Sequence, residues 1–330
     1  VRKMKRDIVV IGCSAGGVEA LPRVLQQLPE DLQAALFIVQ HMAPTSDRYL
    51  VNILTRACRL PVAWAEQGAR IQRGCVIVAP PDLHLMFTDD HISLTRGARE
   101  NHARPSIDKL FRSAAAVHGS RAIGVLLTGM LDDGVAGLRA IRDAGGLVII
   151  QDPAGAAFPE LPMRALIALA PDRTLLLDEI GTSITKLVGE PVDTGTVPQN
   201  LALEAAIDHA GVSSPDQMTA LGPQTSMTCP ECHGPMWQIG DDQMRRYRCY
   251  LGHSAPAREL LAARSAEVEA ALWSAIRALN DRATTFETLA KDAVRTGNGH
   301  SAAVYETRGR QAREQAELAR QFMLDVSGQK

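Results

Sequence analysis

Apolar positions along the first 190 residues switch repeatedly between two periods. Ile8–Ile11 is a continuous apolar run, and apolar residues then recur at 18, 21, 24, 25 and 28, the spacing of one helix face. Ala34–Val39 repeats the strand pattern, and Arg48–Ala57 the helical one with Leu50, Ile53 and Leu54 inward. Short strands are predicted at Val62–Ala65, Cys75–Ala79 and His84–Phe87, the last two separated by a Pro-Pro-Asp turn. His91–Thr95 completes a small antiparallel ribbon. Ser106–His118 reads as a helix burying Ile107, Leu110, Phe111 and Ala114. Strands at Ala122–Leu127 and Gly146–Ile150 flank a helix at Gly134–Ala144. A short helix at Met163–Leu169 follows Pro162, and Leu175–Leu177 and Ile180–Leu187 finish the unit. Near-continuous apolar strands alternating with helices imply an α/β fold: a doubly wound, mostly parallel sheet with helices on both faces.

The pattern changes after residue 190. Residues 191–225 are richer in Gly, Pro, Ser, Thr and Gln and read as a linker, with a short helix at Leu201–Ala210. A cysteine-bearing module is predicted at 226–256 and a helical tail at 257–330. In the tail, Leu261, Val268, Ala271, Leu272, Ala275, Ile276 and Leu279 form a stripe within Arg258–Ala293. A second helix, Tyr305–Leu324, follows a break near Gly297–Gly299, so a helical hairpin or a pair of partner-binding helices is expected. The linker should leave the two cores largely independent in stability.

Charge and composition narrow the function. Thirty-five basic against 37 acidic residues in 330 give a net charge of −2 and no global reason to bind nucleic acid. The basic start V-R-K-M-K-R-D precedes only about five apolar residues, too few for a signal-peptide core. No run reaches the length of a membrane helix, so a cytoplasmic protein that is not membrane-inserted is expected.

Candidate chemistry gathers at predicted strand ends. Val9–Gly17 reads V-V-I-G-C-S-A-G-G, the layout of a nucleophile elbow in which a tight strand-to-helix turn exposes Ser14. Gly12 and Gly16 bracket it where side chains would crowd the turn. A dinucleotide loop requires glycine where Ser14 stands and an acid where the second strand runs into Gln40-His41, and no Gly-Lys-Ser/Thr marks a phosphate loop. His41 should lie at the C-terminal edge of the sheet beside Ser14. Asp132 and Asp133 follow another strand; one is expected to orient His41 and the other to cap the next helix, and spacing alone leaves the choice open. The order Ser-His-Asp departs from that of ordinary α/β-hydrolases.

These segments resemble the catalytic domain of the chemotaxis receptor methylesterases, the protein-glutamate methylesterases and glutamine deamidases. The resemblance covers roughly residues 6–188 and includes I-G-C-S-A-G-G, V-Q-H-M at 39–42, V-A-P-P-D-L-H at 78–84, R-P-S-I-D at 104–108 and L-T-G-M-L-D-D-G at 127–134. It continues through Gln151-Asp152 to Pro159–Arg164. It implies Ser14 as nucleophile, His41 as base and Asp133 as the orienting aspartate, with no cofactor for catalysis. It also implies acyl transfer from a glutamyl methyl ester of a receptor or related signalling protein, with backbone N–H groups of Ala15 and Met130 as the oxyanion hole. Arg104, Arg112 and residues 156–164 are candidate walls of the substrate groove. Two departures stand out: Ala15 replaces a threonine frequent in the family, and Leu131 replaces a usual glycine, which puts that loop's path in question. The elbow begins within a dozen residues of the start, so control by a phosphoacceptor domain in cis is not expected.

The second motif, at 228–253, is T-C-P-E-C-H-G-P-M-W-Q-I-G-D-D-Q-M-R-R-Y-R-C-Y-L-G-H. C-x2-C and C-x3-H pairs on two knuckles supply Cys229, Cys232, Cys249 and His253, the ligand set of a closed, structural zinc ribbon. His233 is a geometrically poorer rival. Strands are expected at Met236–Ile239 and Tyr247–Tyr250. Arg245, Arg246 and Arg248 are diluted by Asp241 and Asp242, so no nucleic-acid partner is expected. The extension resembles those on some receiver-less methylesterase homologues. The alternative reading is a non-enzymatic signalling or scaffold protein that acts through its zinc and helical modules.

Overall fold

The structure, a computed structural model, describes residues 4–193, 195–242 and 244–326. A short pair, β1 (Met4–Lys5) with β11 (Pro191–Val192), closes the ends of the first domain antiparallel. The predicted apolar runs become β2 (Ile8–Cys13), β3 (Ala35–Gln40), β4 (Val62–Trp64), β5 (Cys75–Val78), β8 (Ala122–Leu126) and β9 (Leu147–Gln151). With β10 (Arg173–Leu175) they form one sheet in the order β10-β9-β8-β2-β3-β5-β4. Every adjacent pair is parallel. The chain lays β3, β4 and β5 to one side of β2 and then returns to place β8, β9 and β10 on the other. The crevice between the C-terminal ends of β2 and β8 is thus the switch point where open α/β sheets carry their sites.

Alternation along each strand assigns the two faces. Ile8, Val10, Phe37, Val39, Leu126 and Val148 belong to one core layer, covered by α3 (Ile107–His118), α4 (Val135–Asp143) and α5 (Glu160–Ala168). Val9, Ile11, Leu36, Ile38, Val125 and Ile149 belong to the other, under α1 (Gly17–Leu25), α2 (Leu50–Ala57) and α6 (Leu177–Leu187). A period-2 strand buried on both sides has no polar face to show, which is why these runs are nearly all apolar. The predicted ribbon is the antiparallel hairpin β6 (His84–Thr88) and β7 (His91–Thr95). Helix α5 starts earlier than expected, taking Pro162 into its first turn, where a missing N–H breaks no helical bond.

The expected linker is not a tether. It contains α7 (Gln199–Ala210) and α8 (Pro215–Leu221), and Leu201 joins the α3 side of the core. Residues 224–256 form a four-stranded antiparallel sheet, β12 (Gln224–Thr228), β13 (Pro235–Ile239), β14 (Arg246–Cys249) and β15 (Ser254–Pro256). Trp237 and Ile239 pack with Ile207 and Met218 of α7 and α8. The chain through Ala257 is one compact unit, and residues from Arg258 onward are a second.

Burial of charge explains that union. Arg112 of α3, 1% exposed, meets Asp208 of α7 at 2.7 Å and Glu100 as a second partner. Arg248 of β14, equally buried, meets Asp208 at 2.8 Å, and Arg246 pairs with Glu204. Arg112 is therefore no groove wall, and Arg246 and Arg248 are committed inside the protein. Arg245 pairs with Asp242.

The second unit is the expected hairpin, α9 (Ala257–Arg295) and α10 (Gly299–Val326). Its helices meet through buried alanines including Ala283, Ala290, Ala312 and Ala316, stacked Phe286 and Tyr305, and an Arg313–Glu287 pair at 2.8 Å. Among the described residues, no helix is long and apolar enough to cross a membrane.

Candidate active site

Three strand ends converge at the switch point. The turn after β2 carries Ser14, the residue after β3 is His41, and the loop after β8 carries Asp133. A side chain on Gly12 would come within 2.2 Å of Ile107, and Gly16 holds φ +76° as it opens α1, so both glycines are required by the elbow. Two buried amides that sequence reading missed fix the turn. Gln40 donates to the carbonyls of Ser14 and His41, each at 2.9 Å, and Gln151 accepts the N–H of Thr128 at 2.8 Å. Thr128 in turn accepts the N–H of Ser14 at 3.0 Å.

The side chains form a continuous chain of hydrogen bonds. Ser14 Oγ lies 3.1 Å from His41 Nδ1, and His41 Nε2 lies 2.7 Å from Asp133 Oδ2. A carboxylate can only accept from the ring, so the proton sits on Nε2 and Nδ1 is left to accept from the serine.

Asp133 is 1% exposed and heavily bonded. It accepts from the N–H groups of Ile107 at 2.7 Å and Asp108 at 3.1 Å, from Ser106 Oγ at 2.8 Å and from Asn101 Nδ2 at 3.0 Å. Two of those donors are the free N–H groups at the start of α3, where a negative charge is favoured. Burial alone would raise its pKa, but the His41 hydrogen bond and charge, with Ile107 and Asn101, bring it below the usual carboxylate range.

The neighbouring acids behave otherwise. Asp132 pairs with Arg164 at 3.1 Å. One of the pair was expected to cap α4, but the N-cap is Gly134, and Asp108 of α3 accepts the N–H groups of Gly134 at 2.9 Å and Gly137 at 2.6 Å. Burial, then the nearby charges of Asp133 and Glu100, push Asp108 well above the ordinary range. The negative charge of this carboxylate pair thus resides on the member that faces His41.

Leu131 resolves the question of the loop's path. Its φ is +65°, so the backbone takes the left-handed turn that glycine would adopt freely. A cleft of about 430 Å³ opens beside His41, lined by Met42, Pro44, Asn101, His102, Arg104 and Leu131. Arg104 holds Asp82 at 2.6 Å along that wall.

At the other motif, Cys229, Cys232, Cys249 and His253 converge with all donor atoms within 4.8 Å of one another. Cys232 and Cys249 sulfurs are 3.6 Å apart, as are Cys249 Sγ and His253 Nδ1. Ligands at ~2.3 Å from a tetrahedral ion stand roughly 3.7 Å apart, close to the two 3.6 Å separations here, so the three thiols and one imidazole are a donor set that could hold zinc.

An α/β sheet with a serine–histidine–aspartate relay at its switch point defines a class; sequence comparison narrows it. The CheB methylesterase family matches residues 9–184, and the chain belongs to that family. A putative protein-glutamate methylesterase/protein-glutamine glutaminase of Leptospira interrogans is 39% identical over 185 residues, 56% of this chain and 96% of the relative. Protein-glutamate methylesterase/protein-glutamine glutaminase 2 of Anaeromyxobacter dehalogenans is 40% identical over 56% of this chain and only 54% of its own length. The CheB methylesterase catalytic domain of Thermotoga maritima superposes with a TM-score of 0.54 at 31% identity, over 56% of this chain and all of that domain.

Proposed function

We propose that this protein is a serine esterase that removes methyl groups from glutamyl γ-esters of a chemoreceptor or related signalling protein, and deamidates glutamine in the same site. The observation that carries the reading is the unbroken Ser14–His41–Asp133 relay at the switch point of a CheB-family sheet. Ser14, His41 and Asp133 are assigned as nucleophile, base and orienting aspartate. His41 Nδ1 takes the serine proton as Oγ attacks the side-chain carbonyl. Asp133 keeps the ring in that tautomer and balances the imidazolium.

The oxyanion donors are assigned to the N–H groups of Ala15 and Met130. The N–H of Ser14 is spent on Thr128 and that of Gly129 on Phe158, each at 3.0 Å. Gly129 lies against the nucleophile, since a Cβ there would come within 3.0 Å of Ser14 Cβ. Collapse of the tetrahedral intermediate expels methanol, or ammonia from glutamine, with the proton His41 holds. Water, deprotonated by the same nitrogen, then releases the acid and regenerates Ser14.

No cofactor is assigned to catalysis. Cys229, Cys232, Cys249 and His253 are assigned as ligands of one structural zinc, whose chemistry is to lock two knuckles together; four protein ligands leave no open position. Free thiols at Cys13, Cys58 and Cys75 favour a reducing, cytoplasmic setting. The α9–α10 hairpin, with Leu261, Trp273 and Phe322 exposed, is assigned to protein partners. The decisive experiment is methanol release from methylated receptor membranes. Ser14→Ala should abolish it with the fold intact; equal release from variant and parent would defeat the esterase reading.

A further inference from the structure

Asn101 is the least expected residue of the site. It is 7% exposed and held at φ +50°. Both hydrogens of its amide are spent on carboxylates: Asp108 Oδ2 at 2.8 Å and Asp133 Oδ1 at 3.0 Å. That bridge engages Asp133 Oδ1, while Oδ2 receives His41 together with the N–H of Ile107. A buried residue in the left-handed region persists only where its surroundings over-determine it.

Those surroundings come largely from the ribbon. The N–H of Asn101 donates to the carbonyl of Ser254 at 2.8 Å, and Glu100 and Ser254 form a parallel bridge. Ser254 directly follows His253, whose carbonyl accepts the N–H of Cys249 at 3.0 Å within the second knuckle. From the first knuckle, Glu231 between Cys229 and Cys232 reaches His102 Nδ1 at 3.4 Å. Both ligand-bearing turns therefore grip residues 100–102, whose middle member holds the aspartate.

We propose that Asn101 is a positioning residue for Asp133 and that the Cys/His ribbon clamps it there, making the esterase active only when the four ligands hold a metal. The proposal rests on the reading of Ser14, His41 and Asp133 as an esterase. The β13–β14–β15 ladders keep the knuckles near one another, but without the metal nothing bonds the four ligand side chains to each other, so both turns loosen once it leaves. Ser254 then shifts, Asn101 relaxes from its left-handed conformation, and Asp133 loses one of the donors to Oδ1. It keeps Ser106 and the N–H groups of Ile107 and Asp108 but not the bridge to Asp108. The expected result is a fall in turnover rather than in substrate affinity. The device would tie receptor demethylation to zinc supply and, through the three thiolates, to oxidation.

The test uses the full chain loaded with zinc. Asn101→Ala should lower kcat by about 10- to 100-fold, the range for residues that orient a functional group through a hydrogen bond, with KM nearly unchanged. The low-field proton resonance of the His41–Asp133 hydrogen bond should disappear in this variant while zinc stays at one per chain. Asn101→Asp, which tolerates the same backbone but lacks the donors, should fail likewise. Removing zinc from the parent with a chelator should reproduce the kinetic loss and the spectral loss. Adding zinc back should reverse both, and chelation should add little to the loss in Asn101→Ala. A metal-free chain with full kcat and an intact resonance would overturn the clamp, as would an Asn101→Ala chain that keeps both. Global unfolding on chelation would also overturn it, because the metal would then govern folding and not the aspartate. If Ser14→Ala retains full methanol release, the esterase reading fails instead, and the resonance still reports whether Asn101 and zinc position Asp133.

Discussion

At the scale of single residues, Asp133 and Asp108 show how one buried corner makes two carboxylates unequal. Both are removed from water, which raises each pKa, but only Asp133 has the imidazole of His41 opposite it. Asp133→Asn should therefore leave the fold and substrate binding in place while reversing the hydrogen bond to His41 and stranding the wrong tautomer. Turnover should fall by about 10⁴, the loss known for the same change in another serine hydrolase, whereas Asp132→Asn, facing Arg164, should change kcat by less than about tenfold. Steady-state methanol release separates the two, and the reverse ranking would show that the neighbouring aspartate had been mistaken for the functional one. Leu131 gives a second residue-scale test. Its side chain is largely exposed, yet its backbone sits where an L-residue loses roughly 1–2 kcal/mol. Glycine relieves that strain but adds about 0.5–1 kcal/mol of unfolded-state entropy. Leu131→Gly should thus stabilise modestly, by about 0.5–1 kcal/mol, in urea unfolding. A clear loss of stability would mean that contacts of the leucine outweigh the strain.

At the scale of elements, His84 shows what a strand-end side chain does for the loop that follows. Its Nδ1 accepts the N–H of Ser106 at 3.2 Å, and its Nε2 donates to the carbonyl of Ala98 at 3.0 Å. It therefore ties β6 to both ends of the segment that carries Asn101. Burial, and next the charge of Lys109, bring its pKa down from 6.5 to about 3, so the folded chain keeps it neutral where the unfolded chain protonates it. The contribution is complete above pH 6.5 and is lost as pH falls toward 3, at up to about 1.4 kcal/mol per pH unit. His84→Gln should flatten the slope of unfolding free energy against pH between 6.5 and 4.5 by up to that amount. An unchanged slope would show that His84 does not titrate on unfolding in this window. Such a role is invisible in the sequence, where His84 opens a short strand and ends the V-A-P-P-D-L-H motif with no role assigned to it. What was legible there had local causes: β2, β3, β8 and β9 are apolar because both faces are covered, and the elbow glycines are forced by φ and by Ile107. What was not legible depends on partners far along the chain. Helix α7 is expected at Leu201–Ala210 but is placed in a linker, because the docking of Glu204 and Asp208 depends on cations far along the chain at Arg112, Arg246 and Arg248. Helix α8 alone carried an overlooked local signal, the Ser214–Gln217 capping box with Pro215 inside it.

At the scale of the whole molecule, the charges that dock α7 also make the sheet and the ribbon one cooperative body. Arg112, Arg248 and Asp208 meet out of water, so the two guanidinium groups compensate the buried carboxylate, and their own desolvation is offset through it. Against the upward push of burial, Arg112, Arg246 and Arg248 hold Glu204 down at about 2, and Arg112, Arg248 and Lys109 hold Asp208 far below its usual range. With folded pKa values depressed, this stability is present above the ordinary carboxylate range and is lost as pH falls below about 4. Removing one partner should be costly at neutral pH, because Arg248→Met leaves Asp208 buried with one cation fewer. The expected loss is about 3–5 kcal/mol, and pairing the change with Asp208→Leu should recover part of it. Two probes read the two halves separately: far-UV circular dichroism for the sheet domain, and Trp237 fluorescence for the ribbon in a Trp64→Phe, Trp273→Phe background. Both transitions should move together to lower urea in Arg248→Met. If only the Trp237 transition moves while the sheet unfolds as in the parent, the ion cluster fastens nothing, and the two cores are as independent as the sequence suggested.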